Sequence, residues 1–222
     1  EKFHYAQAQS DITPLHAVAM QENPRFHTGF EELNRVLGGG LVVGSVVLIG
    51  GDPGIGKSTL LLQTVANLAK NHKVLYVSGE ESLSQIALRA QRMSLNVPDL
   101  HLLAETQVEA IVHQSSKYQP DVMVIDSIQT MYTDMQSGSP GGVSQLREAT
   151  AQLVRYAKSS NTTIFLVGHV TKEGALAGPR VLEHMVDAVL YFEGQQDSRI
   201  RIIRASKKLL GAVNEMGVIA MT

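Results

Sequence analysis

The sequence predicts an α/β fold with a mostly parallel central sheet flanked by helices and an antiparallel C-terminal extension. Two patterns predict the parallel sheet. Short, nearly continuous apolar runs alternate with helix-like segments, and a glycine-rich turn joins the first run to the helix behind it. A third pattern predicts the extension, because the strand-like runs after residue 187 are joined by short turns instead of helices.

The composition is typical of an ordinary folded domain. Hydrophobic residues make up 44% and charged residues 18% of the 222 residues, which allows one domain with a substantial core. The net charge of −2 gives no global positive field, and the 5% aromatic content argues against a base-stacking platform, so nucleic-acid contact needs a local basic patch. No cysteine, membrane span or signal-peptide pattern occurs, which favours a cytoplasmic location and no membrane partner.

Two parts are predicted along the chain, an N-terminal arm over residues 1–23 and one domain over residues 24–222. The arm shows little periodicity, whereas the domain opens with an amphipathic helix over Phe30–Leu37 that ends at three glycines. Strands of the parallel sheet are predicted at Val46–Ile49, Lys73–Val77, Val122–Ile125 and Thr163–Val167. Helices are predicted at Ser58–Lys70, Glu81–Arg92 and Gly142–Ser159. The extension is predicted at residues 188–192, 198–204 and 218–221.

A phosphate-binding loop is the strongest motif in the chain. Residues 51–58 match G-x-x-x-x-G-K-[ST] in full, with a strand before them and a helix after them. In this motif backbone N–H groups point at the phosphates, Lys57 reaches the β- and γ-phosphates, and the Ser58 hydroxyl binds Mg²⁺. The alternative is a glycine-rich turn that matches by chance. We predict that ATP or ADP with Mg²⁺ is bound by the loop and the first helical turn: Gly51, Asp52, Pro53, Gly54, Ile55, Gly56, Lys57, Ser58 and Thr59.

Polar side chains at other strand ends complete the predicted site. Asp126 ends the third strand, where it can hold magnesium, although strand-ending aspartates are also common caps. Glu80 and Glu81 follow the second strand, either as helix N-terminal charges or with one of them polarising the attacking water. We assign the catalytic role to Glu80, the nearer to the strand tip, and expect the second strand to border the first. His169 ends the fourth strand; a lone histidine is more often structural, but its place at this edge is also consistent with sensing of the γ-phosphate.

Several motifs together carry a resemblance to a known family. They are Thr28-Gly29-Phe30, Gly38-Gly39-Gly40, the phosphate loop, Ser78-Gly79-Glu80-Glu81-Ser82 and Val124-Ile125-Asp126-Ser127-Ile128-Gln129. In these motifs the chain resembles RecA-type ATPases. The stretches at 168–174 and 176–184 are much more specific, and they make it most similar to the ATPase domain of the RadA (Sms) family of bacterial DNA-repair proteins, from about residue 24 to residue 222.

The resemblance implies a RecA-like fold, a hexameric ring and ATP-driven movement on single-stranded DNA during the processing of recombination intermediates, with recombinase proteins as candidate partners. It also implies the roles given above to Glu80, Asp126 and His169. The segments Thr133–Gly142 and Thr171–Pro179 fall where RecA-type proteins carry DNA-facing loops.

Two cations in or beside the second of these segments are candidate contacts to DNA phosphates. They are Lys172 and Arg180, and solvated surface charge is the competing interpretation of both.

The chain departs from the RadA pattern in three places. It lacks the family's four-cysteine zinc finger and its Lon-protease-like domain, so it looks like an excised core or a short variant. Where the family has Lys-Asn-Arg-Phe-Gly, a motif thought to act beside the neighbouring subunit's ATP, residues 207–211 read Lys-Lys-Leu-Leu-Gly. Lys207 is retained as a candidate catalytic residue, but Leu209 cannot donate to phosphate. Because such a cation contributes on the order of 10³-fold or more in rate, we expect impaired or DNA-uncoupled hydrolysis with retained nucleotide binding.

Other function classes share parts of this pattern. A KaiC-like signalling ATPase has the same phosphate loop, paired glutamates and Thr-Gly-Phe opening, but controls protein partners. A nucleotide-gated assembly module without catalysis is favoured by the leucines at 209 and 210. A small-molecule kinase is disfavoured because no arginine-rich lid segment occurs.

Overall fold

An eight-stranded mixed sheet with helices on both faces organises the chain. The computed structural model describes residues 12–18, 24–170, 178–194, 200–207 and 216–220, and the elements below lie within them. The predicted α/β fold class is confirmed. None of the helices within these residues is long and apolar enough to cross a membrane.

The elements of the described residues are as follows. The strands are β1 (Arg25–Phe26), β2 (Leu41–Val42), β3 (Val46–Gly51), β4 (Val74–Ser78), β5 (Leu100–Ala104), β6 (Val122–Asp126), β7 (Thr163–His169), β8 (Ala188–Glu193), β9 (Ile200–Lys207) and β10 (Met216–Ala220). The α-helices are α1 (Glu31–Val36), α2 (Lys57–Leu68), α3 (Leu83–Arg92), α4 (Val108–Tyr118) and α5 (Val143–Ser160). Short 3-10 helices lie at Leu15–Ala17, Ile128–Thr130 and Pro179–Leu182.

The strand order of the large sheet is β10-β9-β8-β3-β7-β6-β4-β5, and β1 pairs with β2 separately. Strands β8 to β5 in this order run parallel, whereas β9 and β10 are antiparallel. The expectation that β4 borders β3 is wrong, because β7 and β6 lie between them. The sequence also assigns β8 to the antiparallel extension, whereas β8 is parallel to β3, since the connection after β7 is long enough to cross over the sheet.

Both faces of the parallel strands are buried, which explains their continuous apolar runs. Along β3, Val47 and Ile49 pack on one face in a cluster that includes side chains of α1, α2 and α3. Val46 and Leu48 pack on the other face with α4 and α5. A parallel sheet covered on both sides has no solvent face on which polar residues could alternate.

One strand-to-helix unit, β5 and α4, is missing from the sequence prediction. β5 is an edge strand in which no residue is fully buried, so its apolar run lacks the signature of a central strand. The signal for α4 was present, since Val108, Ile111, Val112 and Ser115 lie at helical spacing and are all buried. The predicted start of α3 is also two residues early, because Ser82 is its N-cap and forms a capping box with Gln85.

The N-terminal arm is only partly described, by residues 12–18. Within it Ile12 and Leu15 are almost fully exposed, and Leu15 begins the short helix Leu15–Ala17. The boundary predicted between residues 23 and 24 stays a prediction.

Candidate nucleotide-binding site

The predicted site residues meet at one edge of the sheet. The phosphate loop joins β3 to α2, Asp126 and His169 end β6 and β7, and Glu80 lies two residues beyond β4. The carboxyl ends of parallel strands share an edge, which is where ligands bind in open α/β sheets. One potential ligand atom each of Glu80, Asp126 and His169 lies within 4.8 Å of the others. Glu80 reaches this edge although β4 does not border β3.

The loop has the backbone shape that an anion site needs. Gly54 and Gly56 have φ values of 79° and 103°, in the left-handed region that favours glycine. A side chain at Gly54 would meet no described atom within 4 Å, so backbone conformation, not space, requires glycine there. Among the described residues no side chain caps α2 at Gly56, which leaves the N–H groups of its first turn for an anion.

Lys57 is a buried cation directed back across its own loop. Its side chain is buried, and Nζ donates to the carbonyl oxygens of Gly51 and Asp52, both at 2.7 Å. Burial lowers the pKa of Lys57 to about 8, and the negative charges of Asp126 and other nearby carboxylates oppose this shift. A polyphosphate at the loop would favour the charged form.

Asp126 is the buried carboxylate next to the loop. Its Oδ2 accepts hydrogen bonds from Ser58 Oγ at 2.7 Å and from the Tyr76 hydroxyl at 2.5 Å. Its Oδ1 is buried and has no hydrogen-bond partner among the described residues. An orphaned carboxylate oxygen beside a hydroxyl is the hard-oxygen donor set that Mg²⁺ prefers. Ser58 and Asp126 therefore fit the magnesium ion that the motif implies.

Tyr76 is a site residue that the sequence analysis missed, because it lies within an apolar run that indicates only a buried strand. It is fully buried, and burial together with the charge of Asp126 raises the pKa of its hydroxyl far above the usual value. The phenol therefore stays protonated and donates. A tyrosine inside a buried strand was the available signal, because a buried hydroxyl requires a partner.

The two candidate glutamates have different surroundings. Glu80 Oε1 accepts from Ser127 Oγ at 2.5 Å and lies 2.9 Å from His169 Nε2, and its side chain is 38% exposed. The hydrogen bond of His169 holds the pKa of Glu80 below its usual value, helped by Ser127, although partial burial acts the other way. Glu80 is therefore an ionised, water-accessible acceptor.

Glu81, in contrast, is held by an ion pair and by contacts of its backbone. Its carboxylate pairs with Arg89 of α3, and its backbone exchanges hydrogen bonds with Ser78 Oγ at 2.9 and 3.0 Å. This geometry favours Glu80 over Glu81 for the catalytic role, which stays a prediction.

The end of β7 is braced by a second residue that the sequence analysis did not single out. The buried side chain of Gln129 donates from Nε2 to the His169 carbonyl at 2.9 Å and accepts from the His169 N–H at 3.2 Å. In the described structure His169 Nδ1 is buried without a partner. His169 thus has a fixed backbone and a ring that contacts Glu80, a suitable arrangement for a nucleotide sensor.

Comparison with known proteins identifies the family of the chain. The AAA domain family matches residues 13–175, well over half of the chain. The chain belongs to the AAA domain family. Its sequence resemblance to RadA is also confirmed.

Bacterial DNA repair proteins named RadA are similar over almost the whole chain. The Pseudomonas aeruginosa protein is 62% identical over 98% of this chain and 48% of its own length. The Escherichia coli protein is 54% identical over 95% of this chain and 46% of its own length. The Bacillus subtilis protein is 53% identical over 98% of this chain and 48% of its own length. The chain spans about half the length of these curated relatives.

A solved structure shows the same fold. A KaiC-like protein from the archaeon Pyrococcus horikoshii OT3 matches with a TM-score of 0.72 and 16% identity, over 90% of this chain and 100% of its own. The fold is therefore RecA/KaiC-like. Together, the fold and the family match identify the AAA domain as a nucleotide-binding domain of the RecA-like ATPase class.

Of the remaining predicted residues of the AAA domain, the structure describes Arg180 and the backbone of Lys207. Lys172, Leu209 and Leu210 lie outside the described residues. The backbone of Lys207 pairs with Val189 of β8, and Val189 in turn pairs with Leu48 of β3. Lys207 therefore ends β9 towards the edge of the sheet opposite the loop.

Arg180 lies near the site edge but is exposed. It belongs to the 3-10 helix Pro179–Leu182, and Pro179 packs so closely on Gly168 that a side chain there would come within 2.9 Å. Gly168 directly precedes His169, which places Arg180 next to the sensor end of β7.

The first candidate DNA loop is anchored at its base and open at its tip. Thr133 is buried, and the Gln145 side chain accepts from its N–H at 2.9 Å and donates to its carbonyl at 3.1 Å. Residues 134–140 are all exposed, and the sequence there contains no Lys or Arg.

We predict that Gly79→Ala destabilises the AAA domain by about 1–3 kcal/mol, the range for overpacking a tight site. An added Cβ would lie 2.1 Å from Thr130 Oγ1, a hydroxyl that donates to the Ser127 carbonyl at 2.7 Å and cannot move freely. Gly178→Ala is the matched control, because no described atom lies within 4 Å of its Cβ position. Urea unfolding of both variants measures the difference, and equal stabilities would contradict the prediction.

We also predict proton uptake when ADP binds near pH 8. The pKa of Lys57 is about 8 in the free protein, and bound phosphates raise it, so about half a proton is taken up at pH 8 and almost none at pH 6. Titration calorimetry in buffers of different ionisation enthalpy measures the uptake. Lys57→Arg keeps a cation that does not titrate, so uptake that persists in this variant would assign the proton to another group.

Proposed function

We propose that the chain is the ATP-hydrolysing core of a RadA-type DNA-repair motor that acts on single-stranded DNA and branched recombination intermediates. The observation that carries the proposal is the convergence of Lys57, Asp126 and Glu80 at one sheet edge, behind a loop that lacks a side-chain cap in the described structure. The proposal covers the domain of residues 24–222, with residues 1–23 as its arm.

The chain's own groups suit phosphoryl transfer to water. The loop N–H groups and the Lys57 ammonium hold the β- and γ-phosphates, and the Ser58 hydroxyl and Asp126 would hold magnesium. The ion, when bound, neutralises the charge that develops on the phosphate oxygens. Ser58 Oγ donates a hydrogen bond to Asp126 Oδ2, so the lone pairs of the Ser58 oxygen remain available to a cation.

Glu80 is proposed as the group that orients the attacking water. Its carboxylate is ionised at neutral pH, since its pKa is held below a usual value that is already acidic, and 38% of its side chain is exposed, so water can reach it. His169 and Ser127 fix the direction of the carboxylate. His169 would sense the γ-phosphate because its ring contacts Glu80 directly.

DNA contact is supported by the names of the relatives, which are DNA repair proteins, and by the exposed segment 134–140. That segment offers backbone N–H groups and hydroxyls instead of cations. The proposed phosphate contacts of the second loop come from Lys172 and Arg180. With few cations and a net charge of −2, we expect DNA affinity to depend only weakly on salt.

Assembly into a hexameric ring in the cytoplasm belongs to the same proposal, with recombinase proteins as further partners. It is supported by the position of Lys207, whose backbone lies away from the loop of its own chain. A catalytic contribution from residues 207–211 would therefore be made to the nucleotide of a neighbouring copy.

We predict that Glu80→Gln lowers ATP turnover by about 10²-fold or more while nucleotide binding is retained, because the carboxylate is lost but the shape is kept. Glu81→Gln is the matched control. Its ATP turnover should fall by less than about tenfold, because Glu81 pairs with Arg89 instead. Turnover is measured with and without single-stranded DNA, and Lys57→Ala gives the background.

The same assay separates the proposal from its alternatives. Because hydrolysis uncoupled from DNA is also the expected effect of Leu209 and Leu210, a KaiC-like signalling ATPase is favoured only if single-stranded DNA raises turnover neither in wild type nor after the family motif is restored at residues 208–210. No turnover at all, with a change in gel-filtration size on adding ADP, would favour a nucleotide-gated assembly module.

We further predict that restoring the family motif with Lys208→Asn, Leu209→Arg and Leu210→Phe together increases DNA-stimulated turnover. The guanidinium adds a phosphate donor that leucine lacks, and such cations contribute on the order of 10³-fold in related enzymes. The double variant Lys208→Asn, Leu210→Phe is the control without the new cation. If the triple variant gains nothing over wild type, the expected defect at residues 208–210 is refuted.

A further inference from the structure

We propose that Tyr76 is a positioning residue of the magnesium site: its hydroxyl holds Asp126 by Oδ2 and thereby keeps Oδ1 available to the metal or its bound water. The proposal rests on the proposed function, because it concerns the ion that would accompany the nucleotide.

The two oxygens of Asp126 are treated differently by the fold. Oδ2 accepts two hydrogen bonds, from Ser58 and Tyr76, whereas Oδ1 accepts none from any described residue. Asp126 is only 3% exposed, so bulk water cannot readily satisfy the free oxygen. Leaving a buried carboxylate oxygen unpaired costs free energy, and a cation is the partner that offsets it best.

The register of the sheet explains why Tyr76 can reach this carboxylate. Tyr76 of β4 is level with Val124 of β6, and Ser78 is level with Asp126, so Tyr76 and Asp126 share a sheet face two residues apart. The Tyr76 ring packs with side chains of α2 on that face. Its length then carries the hydroxyl to the carboxylate, where α2 begins.

Packing alone would not require the hydroxyl. A phenylalanine would fill the same space without a polar atom to desolvate, and the 2.5 Å bond to Asp126 is the partner that the structure shows for the phenol. Ser58 will also be drawn towards a bound cation, since its oxygen lone pairs are free. Tyr76 is not expected to contact the cation, so it can hold Asp126 both with and without bound metal.

A purely structural role is the competing explanation, and Tyr156 provides a matched control for it. Tyr156 is 5% exposed, and its hydroxyl bonds to Ser115 at 2.7 Å in the core between α4 and α5. Tyr156→Phe removes a buried hydroxyl of the same kind away from the nucleotide site. Both variants lose a hydrogen bond, but only Tyr76→Phe removes a donor from Asp126.

The experiment measures binding of a fluorescent ADP analogue as Mg²⁺ is titrated, together with thermal unfolding of each variant. In Tyr76→Phe we expect the Mg²⁺ concentration for half-maximal enhancement of binding to rise about tenfold or more, the usual effect of losing a partner of a metal ligand. ADP affinity without metal should change less than about twofold. Tyr156→Phe should shift the unfolding temperature but not the Mg²⁺ requirement.

Two results would overturn the proposal. One is an unchanged Mg²⁺ requirement in Tyr76→Phe, and the other is an equal loss of ADP affinity with and without metal. Incorporation of 4-aminophenylalanine at position 76 restores a hydrogen-bond donor. It should return the Mg²⁺ concentration for half-maximal enhancement to the wild-type value. This variant also tests the proposal if the phenylalanine variant folds poorly. Wild-type protein that binds no ADP analogue at any Mg²⁺ concentration would instead refute the proposed function.

Discussion

The hydrogen bond between Ser58 Oγ and Asp126 Oδ2 is the contact that ties the phosphate loop to the sheet. It joins the first turn of α2 to the end of β6, although β7 separates β6 from β3. The partners are 68 residues apart in sequence, so only the completed sheet can place them 2.7 Å from each other. The Tyr76 hydroxyl converges on the same carboxylate oxygen.

Charge at this edge is unbalanced in a way that suits a nucleotide with a divalent cation. The Lys57 ammonium lies near three carboxylates, those of Asp126, Asp52 and Glu80, and it donates hydrogen bonds to two carbonyl oxygens of its own loop. A polyphosphate would replace those carbonyls as the partner of Lys57, and a cation would offset the carboxylates. Burial strengthens both effects, because few waters compete with them.

A second layer of residues gives the motif residues their directions. Ser127 and His169 orient Glu80, Gln129 fixes the backbone of His169, and Tyr76 fixes Asp126. Side chains held in this way keep a catalytic geometry without rearrangement when substrate arrives. The close approach of Gly79 to Thr130 belongs to the same layer, since it sets the path of the chain between β4 and Glu80.

The sequence by itself determined the mostly parallel α/β class and the phosphate-loop motif, and it predicted roles for Lys57, Ser58, Asp126 and Glu80, because these inferences depend on local spacing and on strand ends. It did not determine that β6 and β7 lie between β4 and β3, or that β8 is parallel, because strand order depends on which apolar faces the helices cover. Tyr76 and Gln129 also required the tertiary structure. Their role comes from hydrogen bonds across 50 and 40 residues, which no local pattern records.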